Sequence, residues 1–476
     1  MDTLIVMAIR LQIVTDFLLL IMLVACGGSQ SPTPLITNDP VPVTPKVGVI
    51  ARINLNSDGT ETRDLADGDH PTLEAAISDD GRFVAFSSTA TGLVSGDTNN
   101  ASDIFLRDTC VSAGSSCQPN TTRVSAATGG SQTDGASFSP VISSSGRFVG
   151  FTSIAPSLVG AGNDRGVFLR DTCNPTASGC TPVLLTLDAT PPSFSPYSLM
   201  TNGFAITPDA CWFAYAWDFF DFVLDAGFHG LEVHATGITD RSACSASVGA
   251  GSQEGEQPKL SANGRFLAYM WHGIAYWWDT CAGAPTGCIQ RKAAVSLPDS
   301  NTTDGTASEA VLSADGRFVA FSSNASNIVA GDTNAKSDVF VRDTCQGAAS
   351  DCAPRTVRVS VASDGTEANG ASSNSQINND GSVVAFTSES TNLANATAGR
   401  RNVFIRTTCL TVTSGCIPAT KLISAAPDGT PGNGNSFAKA MTRDSRYVVI
   451  RSEADNLVND DKNGSPDLFL IRTRAE

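Results

Sequence analysis

The sequence is poor in basic residues and in histidine. Its 476 residues include 31 Lys and Arg against 47 Asp and Glu, which gives a formal net charge of −16. This balance disfavours nucleic acid as a partner, because nucleic-acid-binding domains present a positive surface to the phosphates. The four histidines, His70, His229, His234 and His272, offer little material for histidine-based catalysis or metal binding.

The chain also lacks the linear motifs of common catalytic sites. It has no Gly-x-Ser-x-Gly elbow, no His-Glu-x-x-His pair and no glycine-rich phosphate loop. Helical periodicity is missing throughout the region from residue 47 onward, where short alternating apolar segments predict β-strands. These absences favour an all-β protein and give no support to an enzyme.

The one continuous apolar run is short and lies near the N-terminus. Phe17–Ala25 is too short for a membrane span, and Leu23-Val24-Ala25-Cys26 resembles a bacterial lipobox. We expect residues 1–25 to be a cleaved signal peptide, Cys26 to be lipidated, and residues 26–46, rich in Gly, Ser and Pro, to be a flexible tether. The resemblance to lipoproteins implies a bacterial cell-envelope location on a lipid anchor, in the outer membrane because no Asp follows Cys26.

A segment of roughly 60 residues recurs seven times between Ala76 and Glu476. Each copy contains a tight turn between two apolar segments, as in SADGRFVAFSS at Ser313–Ser323. The copies are Ser78–Ser88, Ser143–Ser153, Thr207–Trp217, Ser261–Trp271, Ser313–Ser323, Asn378–Ser388 and Thr442–Ser452. A unit of this size cannot bury its own apolar face, so stacked copies must share a core.

Each copy predicts four short antiparallel strands, which is one blade of a β-propeller. The last copy stops after its third strand, at Asp467–Glu476, and the missing fourth strand is found at the other end of the chain. There, Ala51–Glu61 aligns without a gap to Val357–Glu367 of a complete copy. We predict one seven-bladed β-propeller over residues 47–476, in which the N-terminal strand closes the last blade.

These repeats resemble a known family. The run S-x-D-G-R-F-V-A-F-S-S followed by D-V-F-V-R-D is similar to the WD40-like repeat of the TolB-type propellers. The resemblance extends from Val47 onward and does not include the N-terminal α/β domain of TolB. It implies a propeller of the cell envelope, and it does not imply a particular activity, since propellers have many unrelated functions.

The cysteines predict a disulfide framework. Apart from Cys26, ten of the other twelve form pairs with six residues between partners, each pair just after a third strand. The pairs are Cys110 with Cys117, Cys173 with Cys180, Cys281 with Cys288, Cys345 with Cys352, and Cys409 with Cys416. Zinc is disfavoured because pairs on five different blades cannot converge on one ion. Cys211 and Cys244 remain, and we expect them to pair with each other.

Three loops between second and third strands have the pattern Asp-x-Asn-x-x-x-Asp, which offers oxygen ligands to a hard cation such as calcium. The candidate ligands are Asp97, Asn99, Asp103, Asp332, Asn334, Asp338, Asp461, Asn463 and Asp467. The alternative interpretation is that the Asp and Asn side chains cap the backbone of their own loops. Both interpretations remain open at this level.

The third and fourth copies depart from the repeat and contain all five tryptophans. Aromatic side chains in or beside their loops could bind an envelope protein or a cell-wall glycan. The candidates are Trp217, Phe219, Phe220, Phe222, Trp271 and His272. Trp277 and Trp278 fall at strand positions and are expected inside the blade.

On this basis we predict a monomeric, non-catalytic lipoprotein that acts by binding. The alternative is an envelope hydrolase or lyase whose site lies in the central channel of the propeller, where residues from several blades meet. Acidic and polar residues that converge in the channel would favour the enzyme. An apolar rim over the third and fourth blades would favour the binding protein.

The cysteine pattern makes a prediction about redox state. If all twelve cysteines after Cys26 form disulfides, the mature protein has no free thiol, because the sulfur of Cys26 carries the lipid. We expect its intact mass to rise by the mass of twelve hydrogens on reduction, because twelve sulfurs each gain one hydrogen. Detection of several free thiols in the unreduced protein would contradict the framework.

Overall fold

The computed structural model describes most of the region that follows the tether. The described residues are 48–64, 73–127, 129–159, 166–174, 180–187, 199–221, 226–236, 250–284, 287–298, 302–411 and 414–474. They belong to one compact unit, 45–476. Its strands form seven four-stranded antiparallel sheets, so the prediction of a seven-bladed β-propeller is confirmed.

The first three blades use consecutive strands. Blade 1 contains β2 (Ala75–Ile77), β3 (Phe83–Ser88), β4 (Asp103–Asp108) and β5 (Asn120–Arg123). Blade 2 contains β6 (Ser137–Ile142), β7 (Phe148–Ser153), β8 (Gly166–Asp171) and β9 (Val183–Leu187), with a four-residue helix α1 (Pro156–Val159) after β7. Blade 3 contains β10 (Leu199–Ile206), β11 (Trp212–Asp221), β12 (Ala226–Ala235) and β13 (Ala250–Gln253).

The next three blades repeat the same order. Blade 4 contains β14 (Glu256–Leu260), β15 (Phe266–Trp271), β16 (Ile274–Asp279) and β17 (Arg291–Ala294). Blade 5 contains β18 (Ala307–Leu312), β19 (Phe318–Ser323), β20 (Asp338–Asp343) and β21 (Arg355–Arg358). Blade 6 contains β22 (Ser372–Ile377), β23 (Val383–Ser388), β24 (Asn402–Thr407) and β25 (Ala419–Leu422).

Blade 7 joins the two ends of the described chain. It contains β26 (Ser436–Met441), β27 (Tyr447–Ser452), β28 (Asp467–Arg472) and β1 (Gly48–Arg52), in the order β26-β27-β28-β1. Asn54 fastens the exit from β1, because its amide nitrogen donates to Asp467 Oδ1 at 2.7 Å and its amide oxygen accepts from Leu468 N at 2.9 Å. The predicted closure is therefore confirmed, and this pairing leaves no edge open on β28.

At five of the seven junctions, adjacent blades pack through an aromatic ring against a glycine turn. The ring at the start of a second strand covers the glycine in the first turn of the next blade, so that a Cβ added to Gly146 would lie 2.3 Å from the Phe83 ring. The same contact occurs for Gly81 with Tyr447, Gly264 with Trp212, Gly316 with Phe266, and Gly381 with Phe318. Phe83 and Phe318 are buried at these junctions.

An arginine, an aspartate and a disulfide fasten the outer part of four blades. In blade 1 the Arg82 guanidinium pairs with Asp108 at 2.7 Å, and Asp108 also accepts from the backbone of Cys110. The equivalent pairs are Arg147 with Asp171, Arg265 with Asp279, and Arg317 with Asp343. This repeated contact ties the first turn of each of these blades to the end of its third strand.

The structure contains the five predicted disulfides, with sulfur atoms bonded between the expected partners. Cys211 is also disulfide-bonded, and Cys244 lies outside the described residues.

Trp277 and Trp278 are buried within blade 4, as predicted. No helix among the described residues is long and apolar enough to cross a membrane.

The ring-to-glycine junction predicts a large effect of Gly146→Ala. Both Gly146 and Gly96 have a positive φ, but only at Gly146 would an added Cβ collide with an aromatic ring, that of Phe83. We expect Gly96→Ala to cost about 1 kcal/mol from backbone strain alone. Gly146→Ala should cost roughly 1 to 3 kcal/mol more because of overpacking against Phe83. Urea unfolding of both variants measures the difference, and equal losses would show that the ring does not confine the turn.

Candidate functional site in the central channel

The first strand of every blade lines a central channel. Each of β2, β6, β10, β14, β18, β22 and β26 contacts the first strands of both neighbouring blades, so these seven strands close into a ring. The channel contains a cavity of about 540 Å³ that residues from blades 1, 2, 3, 4 and 7 line. A cavity of this size can hold a small ligand.

Bulges in the channel strands turn individual residues toward a neighbouring blade. The pairing between first and second strands is shifted in six of the seven blades. Ser139, Gln257 and Asn374, at equivalent positions in β6, β14 and β22, have positive φ angles of 54°, 54° and 53°. Such strained backbone is uncommon for residues other than glycine and is frequent at functional sites.

Two glutamates occupy equivalent positions in blades 1 and 5, four residues before the turn. Glu74 Oε2 accepts a hydrogen bond from the backbone nitrogen of Ser139 in blade 2 at 3.0 Å. Glu309 Oε1 accepts from Ser375 N in blade 6 at 2.7 Å and from the Ser322 hydroxyl at 2.5 Å. Each carboxylate therefore joins its own blade to the bulge of the next one and is fixed in orientation.

Two lysines face the same channel without a direct partner. Lys259 on β14 and Lys439 on β26 line the cavity together with Glu74 and Glu256. Within the described part of the chain, neither ammonium group forms a hydrogen bond or an ion pair. An ammonium group that faces a cavity without a direct partner can pair there with an anionic group of a ligand.

Burial in the channel shifts the pKa values of Glu309, Lys259 and Lys439 toward neutral pH. Burial within the channel walls raises the pKa of Glu309, although hydrogen bonds from Ser322 and Ser375 oppose the shift. Lys259 is accessible to water inside the channel, yet the surrounding walls lower its pKa against the opposing effect of Glu74 and Glu309. Burial also lowers the pKa of Lys439. A carboxyl that keeps its proton and an amine that loses its proton more easily are suited to acid–base chemistry.

The turns between first and second strands surround one end of the channel. Asp79 N donates to Ser144 O at 3.0 Å, and Ser144 N donates to Pro208 O at 2.8 Å, so the turns of blades 1, 2 and 3 are linked. Arg443, in the turn of blade 7, pairs with Asp79 at 3.4 Å. This end of the channel is thus bordered by a charged pair and by fixed backbone.

The aromatic candidates of blades 3 and 4 are only partly within the described residues. Trp217, Phe219 and Phe220 lie on β11, but their side chains lie outside the described part, as does all of Phe222. Trp271 and the exposed His272 stack with ring centroids 4.2 Å apart at the turn between β15 and β16. The structure therefore places two of the six candidates together, and the binding prediction for the group remains a prediction.

The three Asp-x-Asn loops have a shared geometry. In blade 5 the Asn334 amide nitrogen donates to Asp338 at 2.8 Å, and its oxygen accepts from Lys336 N at 2.7 Å, so this side chain is used within the loop. Asn99 and Asn463 make the same two contacts. Backbone capping is therefore present in all three loops.

An arginine from the fourth strand also lies beside the aspartates of each loop. Arg52, Arg123 and Arg358 approach Asp467, Asp103 and Asp338 at 3.7, 3.9 and 3.5 Å. Burial raises the pKa of Asp103, Asp332 and Asp467 to about 6 in spite of these guanidinium groups. In blade 5, Asp332, Asp338 and Glu367 bring carboxylate oxygens within 4.8 Å of one another and could hold a metal ion.

Sequence reasoning did not single out Glu74, Glu309, Lys259 or Lys439. The available signal was the presence of charged residues two to four positions before the turn, where the other copies have uncharged residues. Because the copies are far apart in sequence, no local spacing indicated that these residues share a channel.

Known structures resemble this chain in fold. No family model and no curated protein matches it. A solved oligogalacturonate lyase in complex with manganese is 12% identical, with a TM-score of 0.46 over 90% of this chain and 98% of that one. An acylaminoacyl peptidase from Pyrococcus horikoshii is 9% identical, with a TM-score of 0.45 over 88% and 52%. A putative TolB from Agrobacterium tumefaciens is 13% identical, with a TM-score of 0.31 over 60% and 79%.

Our prediction that the protein is not an enzyme is contradicted by this set, in which enzymes share the propeller fold. The likeness shows the fold alone and assigns no reaction to this chain. The physical reason for the error is that a propeller can assemble a site from separate inner strands. The lack of a linear catalytic motif is therefore no argument against catalysis.

The channel environment predicts a measurable titration for Lys259. We expect its pKa to lie below the usual value of about 10.4, because the channel walls disfavour the charged ammonium. Reductive methylation with ¹³C-formaldehyde and NMR titration would follow the methylated amine, with Lys259→Arg identifying its signal. Methylated Nα-acetyllysine is the reference. Titration at or above the reference value would contradict the proposed environment.

Proposed function

We propose that this protein is an acid–base enzyme of the hydrolase or lyase type, and that its site is the central channel. The observation that carries the proposal is the convergence of Lys259 and Lys439, both without a direct partner, with Glu74 and Glu309 around one channel. Our sequence-based alternative named acidic and polar residues in the channel as a feature that would favour an enzyme. Lys439, whose ammonium group has no direct partner, favours a substrate that carries a carboxylate.

The pKa shifts suggest a role for each group. Lys259, with its lowered pKa, is suited to remove a proton, while Glu309, with its raised pKa, is suited to donate one to a leaving oxygen. Lys439 would pair with the substrate carboxylate. In an elimination, Lys259 removes a proton from the carbon next to that carboxylate. The electron pair of the broken C–H bond forms a carbon–carbon double bond, and the C–O bond to the leaving group breaks.

We favour elimination over hydrolysis because it uses both lysines. Removal of a proton next to a carboxylate places negative charge on that carboxylate, and a fixed cation stabilises this charge in the transition state. A neutral ester or glycoside has no carboxylate with which Lys439 could pair during hydrolysis. A uronic-acid chain, in which each sugar has a carboxylate, fits these requirements.

Activity on an oligogalacturonate probe tests the proposal. Elimination produces a conjugated double bond that absorbs ultraviolet light, whereas hydrolysis yields new reducing ends without this absorbance. We expect turnover by the wild type and a loss of roughly 100-fold or more in Lys259→Met and Glu309→Gln, the usual effect of removing a general base or acid.

The control is Lys336→Met, which removes an exposed lysine in a loop outside the channel and should leave the rate unchanged. Far-ultraviolet circular dichroism and melting curves establish that the variants are folded. No turnover and no binding of the probe by the wild type would refute the proposed chemistry. Full activity of both channel variants would show that the reaction occurs elsewhere.

The cellular setting is also a proposal. We infer a TolB-type WD40-like repeat protein of the bacterial envelope, with a cleaved signal peptide, a lipid anchor on Cys26 and an outer-membrane location. The lipobox-like Leu23-Val24-Ala25-Cys26 and the disulfides, which form in oxidising compartments, support this setting. An envelope protein or cell-wall glycan would meet the propeller there, and Trp271 with His272 remains the candidate contact.

A further inference from the structure

Blades 1 and 5 contain closely similar acidic loops, but a different residue faces each loop from the connection to the next blade. Both have an Asp-Thr-Asn sequence after the second strand and an arginine at the end of the fourth strand, Arg123 in blade 1 and Arg358 in blade 5. The residue that faces the loop from the connection to the next blade is Gln132 in blade 1 and Glu367 in blade 5. Blade 1 is therefore an internal reference for blade 5.

In blade 1 the glutamine forms hydrogen bonds with both the aspartate and the threonine of the loop. Its amide nitrogen donates to Asp97 Oδ1 at 2.9 Å, and its amide oxygen accepts from the Thr98 hydroxyl at 2.9 Å and from Thr98 N at 3.1 Å. The donor end of the amide thus meets the carboxylate and the acceptor end meets the threonine.

In blade 5 the glutamate can perform only half of this role. Glu367 accepts from Thr333 N at 3.0 Å and from the Thr333 hydroxyl at 2.7 Å, but a carboxylate has no hydrogen to donate to Asp332. Both carboxylate oxygens of Asp332 are buried without a hydrogen-bond partner, and its side chain is only 2% exposed. Such a group is costly unless a cation or a proton compensates it.

Arg358 supplies part of the missing positive charge. Its guanidinium lies 3.4 Å from Asp332 and 3.5 Å from Asp338, and it also contacts Glu367. Three ionised carboxylates and one guanidinium leave two uncompensated negative charges. A single divalent cation would neutralise them.

The donor set and its dimensions fit calcium. The ligands are all oxygens, and oxygens from Asp332, Asp338 and Glu367 lie within 4.8 Å of one another. Calcium–oxygen distances of about 2.3 to 2.6 Å place ligands on opposite sides of the ion about 5 Å apart. Loop carbonyls and water can complete its flexible coordination.

We propose that the loop of blade 5 binds one calcium ion through Asp332, Asp338 and Glu367, with Arg358 as a fixed neighbouring charge. The site is independent of the channel and of the reaction proposed there. Blade 1 does not share it, because Gln132 supplies the hydrogen bond that blade 5 lacks. Within the described residues of blade 7, three carboxylates do not converge in the same way.

A reciprocal pair of variants tests the site. Calcium chloride titrated into the full-length protein in a calorimeter should show one site per chain, with a dissociation constant of roughly millimolar or below, as in extracellular calcium modules. Glu367→Gln should abolish binding, because it gives blade 5 the hydrogen bond of blade 1. Gln132→Glu should add a second site, because it gives blade 1 the carboxylate of blade 5.

Melting curves with and without calcium provide the second measurement. Calcium should raise the melting temperature of the wild type and leave that of Glu367→Gln unchanged, since only the native state of the wild type binds the ion. Undiminished calcium binding by Glu367→Gln would overturn the proposal. So would a wild type that binds no calcium and instead gains stability as the pH falls below 6, because Asp332 and Glu367 would then share a proton.

Discussion

The contact between an aromatic ring and the glycine turn of the next blade holds the propeller together. Phe83 against Gly146 and Phe318 against Gly381 are two examples, and each junction has room for a ring only because the turn has no side chain. The turn needs glycine for a second reason, since its φ is positive. At five of the seven junctions glycine thus shapes the hairpin and sets the spacing between two blades. Ala210 and Ser445 stand at this position in blades 3 and 7.

This spacing determines what meets in the channel. The inner strands are close enough for Glu74 and Glu309 to reach backbone nitrogens of the following blades, so the channel wall is joined by side chains as well as by backbone. The bulges make those nitrogens available by interrupting the pairing with the second strand. The features that distinguish the channel chemically therefore arise where the regular blade pattern is interrupted.

The acidic loops between second and third strands differ from the channel in one respect. Their backbone and most of their contacts are the same in several blades, and single residue differences between copies change their chemistry. The acidic loops keep the same Asn caps and the same arginine, while Gln132 and Glu367 decide whether a carboxylate is satisfied within the protein. Repetition places the same backbone in every blade. Variation at one side chain is then enough to leave a buried carboxylate of one copy, Asp332, without a hydrogen-bond partner.

The sequence determined the local and periodic features: seven copies, four strands in each, the closing strand β1 and the disulfides between near neighbours such as Cys110 and Cys117. Turn residues and alternating apolar positions specify these over short stretches of chain. Only the tertiary structure showed that Lys259, Lys439, Glu74 and Glu309 share a channel, and that Glu367 faces Asp332. The reason is that their proximity depends on the curvature of the closed ring and on side-chain direction at bulges and loops, which no local pattern encodes.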